Sequence, residues 1–116
     1  MTYFDNEVLD ELLEILGEED LCAITASFVD QLGNQLAELT AHCANAELAE
    51  VSRIAHSLKG GAGNLGAIAL SDVAAALERH SRAGDAGLTG AALETLPAVA
   101  QHTIAELRQR GYLPSH

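Results

Sequence analysis

The sequence predicts an all-α protein: an antiparallel up-down four-helix bundle with an additional short N-terminal helix, one domain over residues 1–116. Three observations lead to that fold class. Apolar residues recur in steps of three and four along most of the chain, and no stretch alternates with the period of two that a strand needs. Hydrophobic content is 48% while aromatics are only 3%, a mixture dominated by Ala and Leu that suits closely packed helices rather than a sheet. The periodic segments are long and their joins short, which makes consecutive helices antiparallel neighbours.

The first helix is expected over about residues 5–16, with Val8, Leu9, Leu12, Leu13 and Leu16 on its apolar side and Asp5 or Asn6 as N-cap. Gly17 ends it, and Glu18, Glu19 and Asp20 bring negative charge to the start of the next. That second helix runs to about Asn45, and Leu21, Ile24, Phe28, Leu32, Leu36, Leu39 and Cys43 form a single seam along it. The third spans about 47–65, with Gly66 as its stop. The fourth spans about 68–83 and buries Leu70, Val73, Ala74 and Leu77, and residues 83–87 form the one glycine-rich linker. The fifth is placed at about 90–110, where Pro97 should kink it or delay its start. The first, short helix then forms a lid on one end of the bundle.

Charge and cysteine usage exclude several function classes. Seventeen acidic residues against six Lys or Arg give a net charge of −11, a field that repels nucleic-acid backbones. Cys22 and Cys43 make no CxxC pair and fall on apolar helical stripes, so they read as small core residues in a reducing compartment. No basic-then-apolar leader and no apolar run of about 18 residues occurs, so a cytoplasmic protein that neither leaves the cell nor enters a membrane is expected. Nothing in the pattern demands a dimer, and a monomer is expected.

The informative stretch is Ala55-His56-Ser57-Leu58-Lys59-Gly60-Gly61-Ala62-Gly63-Asn64-Leu65-Gly66. Val51, Ile54, Ala55, Leu58, Ala62 and Leu65 mark one buried stripe, and at about 100° per residue His56 lies about 140–150° from its centre, facing water. Gly60 and Gly63 share the face of His56. Each helical glycine costs about 1 kcal/mol relative to alanine, so three within four positions point to a bare platform that lets a partner approach an exposed imidazole. A neutral imidazole is a good nucleophile towards phosphorus. Lys59, at i+3, could screen incoming phosphoryl oxygens. Counting from Gly66, His56 and Glu78 lie roughly 15 and 18 Å along their helices and so nearly level in a hairpin. Glu78 then either accepts the Nδ1 proton of His56 and makes Nε2 more basic, or is a solvated glutamate beside Arg79 and Arg82.

These residues resemble the signature of histidine-containing phosphotransfer (HPt) domains: a histidine, a leucine or phenylalanine two residues on, then Lys-Gly and a small residue. Ala74-Ala75-Ala76-Leu77-Glu78 is similar to the family's following helix. The resemblance implies a four-helix bundle without catalytic activity of its own, phosphorylated on Nε2 of His56. It assigns Lys59 and Gly60 to the phosphate side and to access, and sets Glu78 where relatives carry a polar or acidic partner of the histidine. Gly61 departs mildly, since serine is common there. The implied partners are response-regulator receiver domains and hybrid sensor histidine kinases. They would dock on a face carrying Ser52, Arg53, His56, Lys59, Gly60 and Gly63, with apolar help from the second helix. The chain itself needs no cofactor, the Mg²⁺ coming from the partner's receiver domain, and it reads as a free-standing shuttle.

Three other readings compete. Gly61-x-Gly63-x-x-Gly66 matches a dinucleotide-binding fingerprint, but that motif needs a preceding strand, and residues 51–59 have helical periodicity. A bundle metalloenzyme would draw on His42, Glu47, Glu50, Glu78, His80 and His102, yet no Glu-x-x-His spacing occurs. A helical adaptor with His56 incidental needs no chemistry at all, and His56→Ala separates it from the shuttle.

Overall fold

Side-chain caps open the first and last helices, where the Asp5 and Asp85 carboxylates accept from backbone N–H groups of the first turn. A computed structural model describes residues 2–113, in which five helices and no strand occur: α1 (Asn6–Leu16), α2 (Glu18–Ala44), α3 (Leu48–Leu65), α4 (Ile68–Arg82) and α5 (Ala86–Gln109). The Asp5 carboxylate accepts from the Glu7 N–H at 3.0 Å and caps α1. α2 has no such cap and starts instead on Glu18, Glu19 and Asp20, whose charge complements its dipole.

α2 to α5 form a ring of contacts in which α2 packs on α3 and α5, and α4 packs on the same two helices. The longest dimension, 42 Å, is close to the length of the 27-residue α2. All six residues of the α3 stripe are buried, and Leu21, Leu32, Leu39, Leu70, Leu77, Leu96 and Leu107 meet them in the core. α1 lies against α2 and α3. Its entry is tied to the α3–α4 turn by the Asp5 N–H, which donates to the Gly66 carbonyl at 2.8 Å. Phe4 is buried beneath the Arg110 guanidinium, and Tyr3 stacks on His102 at 5.2 Å.

Gly66 holds this junction. It closes α3 in a left-handed conformation (φ 78°), with the Ala67 N–H returning to the Ala62 carbonyl. A Cβ there would lie 2.9 Å from Cβ of Val8, so the position needs glycine both for its backbone and for the approach of α1.

Several expectations need correction. α5 starts at Ala86, four residues early, because the Asp85 carboxylate accepts from the Leu88 N–H at 2.9 Å and Thr89 is buried. The linker shrinks to 83–85, and Pro97 sits exposed within one continuous helix. The buried line of α2 is Leu21, Thr25, Leu32, Gln35 and Leu39, while Ile24 is 45% exposed. Cys22 and Cys43 are half-buried free thiols at the edge of the core. In α1 only Leu9 is fully enclosed.

Candidate functional site

The α3–α4 hairpin turns at Gly66 and Ala67 and sets His56 and Glu78 beside each other. His56 stands out from the bundle, its side chain 64% exposed, whereas the Glu78 side chain is 6% exposed. Oε2 of Glu78 lies 2.6 Å from Nδ1 of His56, and Lys59 Nζ donates to Oε1 at 2.5 Å. One turn further along α4, Arg82 Nη2 reaches Oε2 at 3.2 Å. The glutamate is therefore an enclosed anchor with both oxygens engaged rather than a solvated surface residue.

This constellation fixes the charge and tautomer at the site. The hydrogen bond from Lys59 holds the Glu78 carboxyl below the usual glutamate range, helped by His56 and by the charge of Arg82, against the opposing push of burial. An ionised carboxylate only accepts, so Nδ1 of His56 carries the proton. In the neutral ring the lone pair is then on Nε2, on the side turned away from Glu78.

The ground beside the ring is open on one side. A Cβ on Gly60 would meet nothing within 4 Å. Gly63 is less free, since a Cβ there would touch Oγ of Ser71 at 3.7 Å, so this glycine borders α4. Ser71 Oγ also donates to the Lys59 carbonyl at 3.2 Å, fastening the two helices one turn from the histidine. Arg53 is exposed but turned to Glu50, with Nη2 at 2.8 Å from Oε2, and Ser52 is half-buried. Of the expected site residues, the fold brings His56, Lys59 and Glu78 into direct contact and leaves Arg53 in a separate pair.

Two neighbouring features escaped the sequence pattern. Gln35 of α2 is 8% exposed and donates to Ser57 Oγ at 3.5 Å. Its burial opposite Ser57 has no hydrophobic signature. Ile24, displaced from the core, and Phe28, half-buried against it, line an apolar cleft with Leu12, Gly61, Asn64 and Leu65 on the other side of α3 from Glu78. Their place in an apolar periodicity was legible, but which side of the seam they occupy was not.

The glycines at 61, 63 and 66 lie in and at the end of a helix preceded by helix, which removes the dinucleotide-binding reading. Among the described residues no three His, Cys, Asp or Glu side chains gather in a way that could hold a metal ion. Among the same residues no helix is long and apolar enough to cross a membrane.

Comparison with known proteins places the chain in a family. The family model described as Hpt domain matches residues 23–110. Among solved structures, the crystal structure of histidine-containing phosphotransfer protein B (HptB) from Pseudomonas aeruginosa PAO1 is 26% identical. The match covers 93% of each chain with a TM-score of 0.89. No curated protein matches the chain. With more than half of its length matched to that one family, the chain belongs to the Hpt domain family, the histidine phosphotransfer proteins of phosphorelays.

Proposed function

We propose that His56 is a phosphoryl carrier: Nε2 takes the group from a receiver-domain phospho-aspartate and returns it to an aspartate of another receiver. The observation that carries this reading is the exposed imidazole whose Nδ1 is bound to an enclosed carboxylate. As the aspartyl O–P bond breaks, the carboxylate leaves with the electron pair and Nε2 forms the N–P bond. Nδ1 keeps its proton, so the ring becomes a phosphoimidazolium facing Glu78. That positive ring is a good leaving group, which suits onward transfer. Lys59 would screen the phosphoryl oxygens, and Gly60 would leave room for the incoming receiver.

The reaction needs little from this chain beyond alignment, so it acts as a carrier without independent catalysis. Mg²⁺ belongs to the receiver. The ring of contacts supports reading α2–α5 as an antiparallel up-down four-helix bundle in which α3 and α4 present the site. Receivers and hybrid histidine kinases dock across His56, Gly60 and the exposed side of α3, with Ile24 and Phe28 of α2 supplying apolar contact. Ser52 and Arg53 lie at the other end of that surface. A cytoplasmic, monomeric shuttle fits this role.

The test is transfer from a phosphorylated receiver. The protein should gain a phosphate that is stable in base and lost in acid, and His56→Gln should abolish it while keeping the helical content. A label that survives His56→Gln overturns the assignment.

A further inference from the structure

Lys59 meets two demands that conflict. In the structure its ammonium is bound to Oε1 of Glu78, whereas screening a phosphoryl group on Nε2 requires it to turn outward. If Lys59 simply left, an enclosed carboxylate would lose its closest cation. Two features offset that loss. Phosphorylation places a positive charge on the ring that already faces Oε2. In addition, Arg82 sits one turn along α4 with Nη2 3.2 Å from Oε2 and its side chain 67% exposed, so its guanidinium fork can close onto the vacated Oε1.

We propose that Arg82 is a positioning residue of the phosphorylated state, taking over Glu78 so that Lys59 can pass to the phosphoryl oxygens. The inference rests on the reading of His56 as the carrier. Before phosphorylation Lys59 and Arg82 share the glutamate. Afterwards Arg82 and the cationic ring hold it, and Lys59 engages the phosphoryl group. Lys59 is the one lysine of the chain.

The test is a double-mutant cycle on the full-length protein, phosphorylated with phosphoramidate so that no docking surface is involved. In that reaction the P–N bond of phosphoramidate breaks, ammonia departs and the N–P bond to His56 forms. The lifetime and ³¹P shift of the phosphohistidine are measured with Lys59 or Gln at position 59, in the Arg82, Arg82→Gln and Arg82→Lys backgrounds. With Arg82 present, Lys59→Gln should shorten the lifetime severalfold and move the ³¹P resonance. In Arg82→Gln the same substitution should change both less than twofold, because Lys59 stays bound to Glu78, and Arg82→Lys should restore part of the response. Equal responses to Lys59→Gln in the Arg82 and Arg82→Gln backgrounds, or no response in either, overturn the exchange while leaving His56 as the carrier. Failure of the unsubstituted protein to acquire phosphohistidine at position 56 overturns the carrier reading itself. Arg82 is largely exposed, so these variants should melt with the parent, and circular dichroism checks that they do.

Discussion

At the scale of single residues, the site works by opposing exposures: an imidazole in water tied to a carboxylate out of it. Glu78→Ala should therefore lower the transfer rate only severalfold, since it loosens the ring without removing the nucleophile. An unchanged rate would return Glu78 to a purely structural part. The same carboxylate makes a pH-dependent contribution to stability. Its folded pKa is lowered, so the contribution is complete above the ordinary carboxylate range and fades as pH falls through the lowered value. Thermal melts of the parent and Glu78→Gln should differ by a constant interval near neutrality and converge in acid, and an interval that persisted into strong acid would contradict the ion-pair account. Gly60→Leu adds bulk where nothing lies within 4 Å, so it should slow transfer at least tenfold yet leave helicity intact. Undiminished transfer in that variant would remove the access argument. The level placement of His56 and Glu78 was readable by counting from Gly66. The engagement of Lys59 by the same glutamate was not, because a lysine stem can turn either way from one helix position.

At the scale of elements, long periodic segments were legible and polar burial was not. The α3 stripe matches residue for residue because each of its six apolar side chains faces a neighbouring helix. In α2 the apolar pattern pointed to Ile24, yet the buried line passes through Thr25 and Gln35. Thr25 can be buried because its hydroxyl donates to the Tyr112 carbonyl at 2.6 Å, across 87 residues of sequence. A hydrophobic count does not see such a bond. The start of α5 differs for a related reason: Gly84 and Gly87 suggest a linker over 83–87, but the Asp85 cap and buried Thr89 outweigh the glycine penalty at Gly87. The junction of α1 with the α3–α4 turn is the element-scale feature most exposed to substitution. Gly66→Ala should destabilise the protein by about 1–3 kcal/mol in urea unfolding, from the left-handed backbone and the contact with Val8. A loss below about 0.5 kcal/mol would mean that the junction relaxes freely.

At the scale of the whole molecule, the net charge of −11 sets the conditions for docking rather than the chemistry. Arg53 is paired with Glu50, and Lys59 and Arg82 share the one charge of Glu78, so these groups together leave about one positive charge against a net of −11. Transfer from a receiver of net negative charge should accordingly be faster at about 0.3 M salt than at about 0.03 M, as screening removes long-range repulsion. Slower transfer at high salt would point to a local attractive field. The central claim is narrower: of the five histidines in the chain, one carries phosphate, on one nitrogen. The most direct measurement is a ¹⁵N–³¹P correlated spectrum of the protein after exposure to a phosphorylated receiver. The account expects a single N–P coupling, on Nε2 of His56, with Nδ1 still hydrogen-bonded. A coupling on Nδ1 or on any other histidine, or phosphate on a residue of another kind, would contradict it.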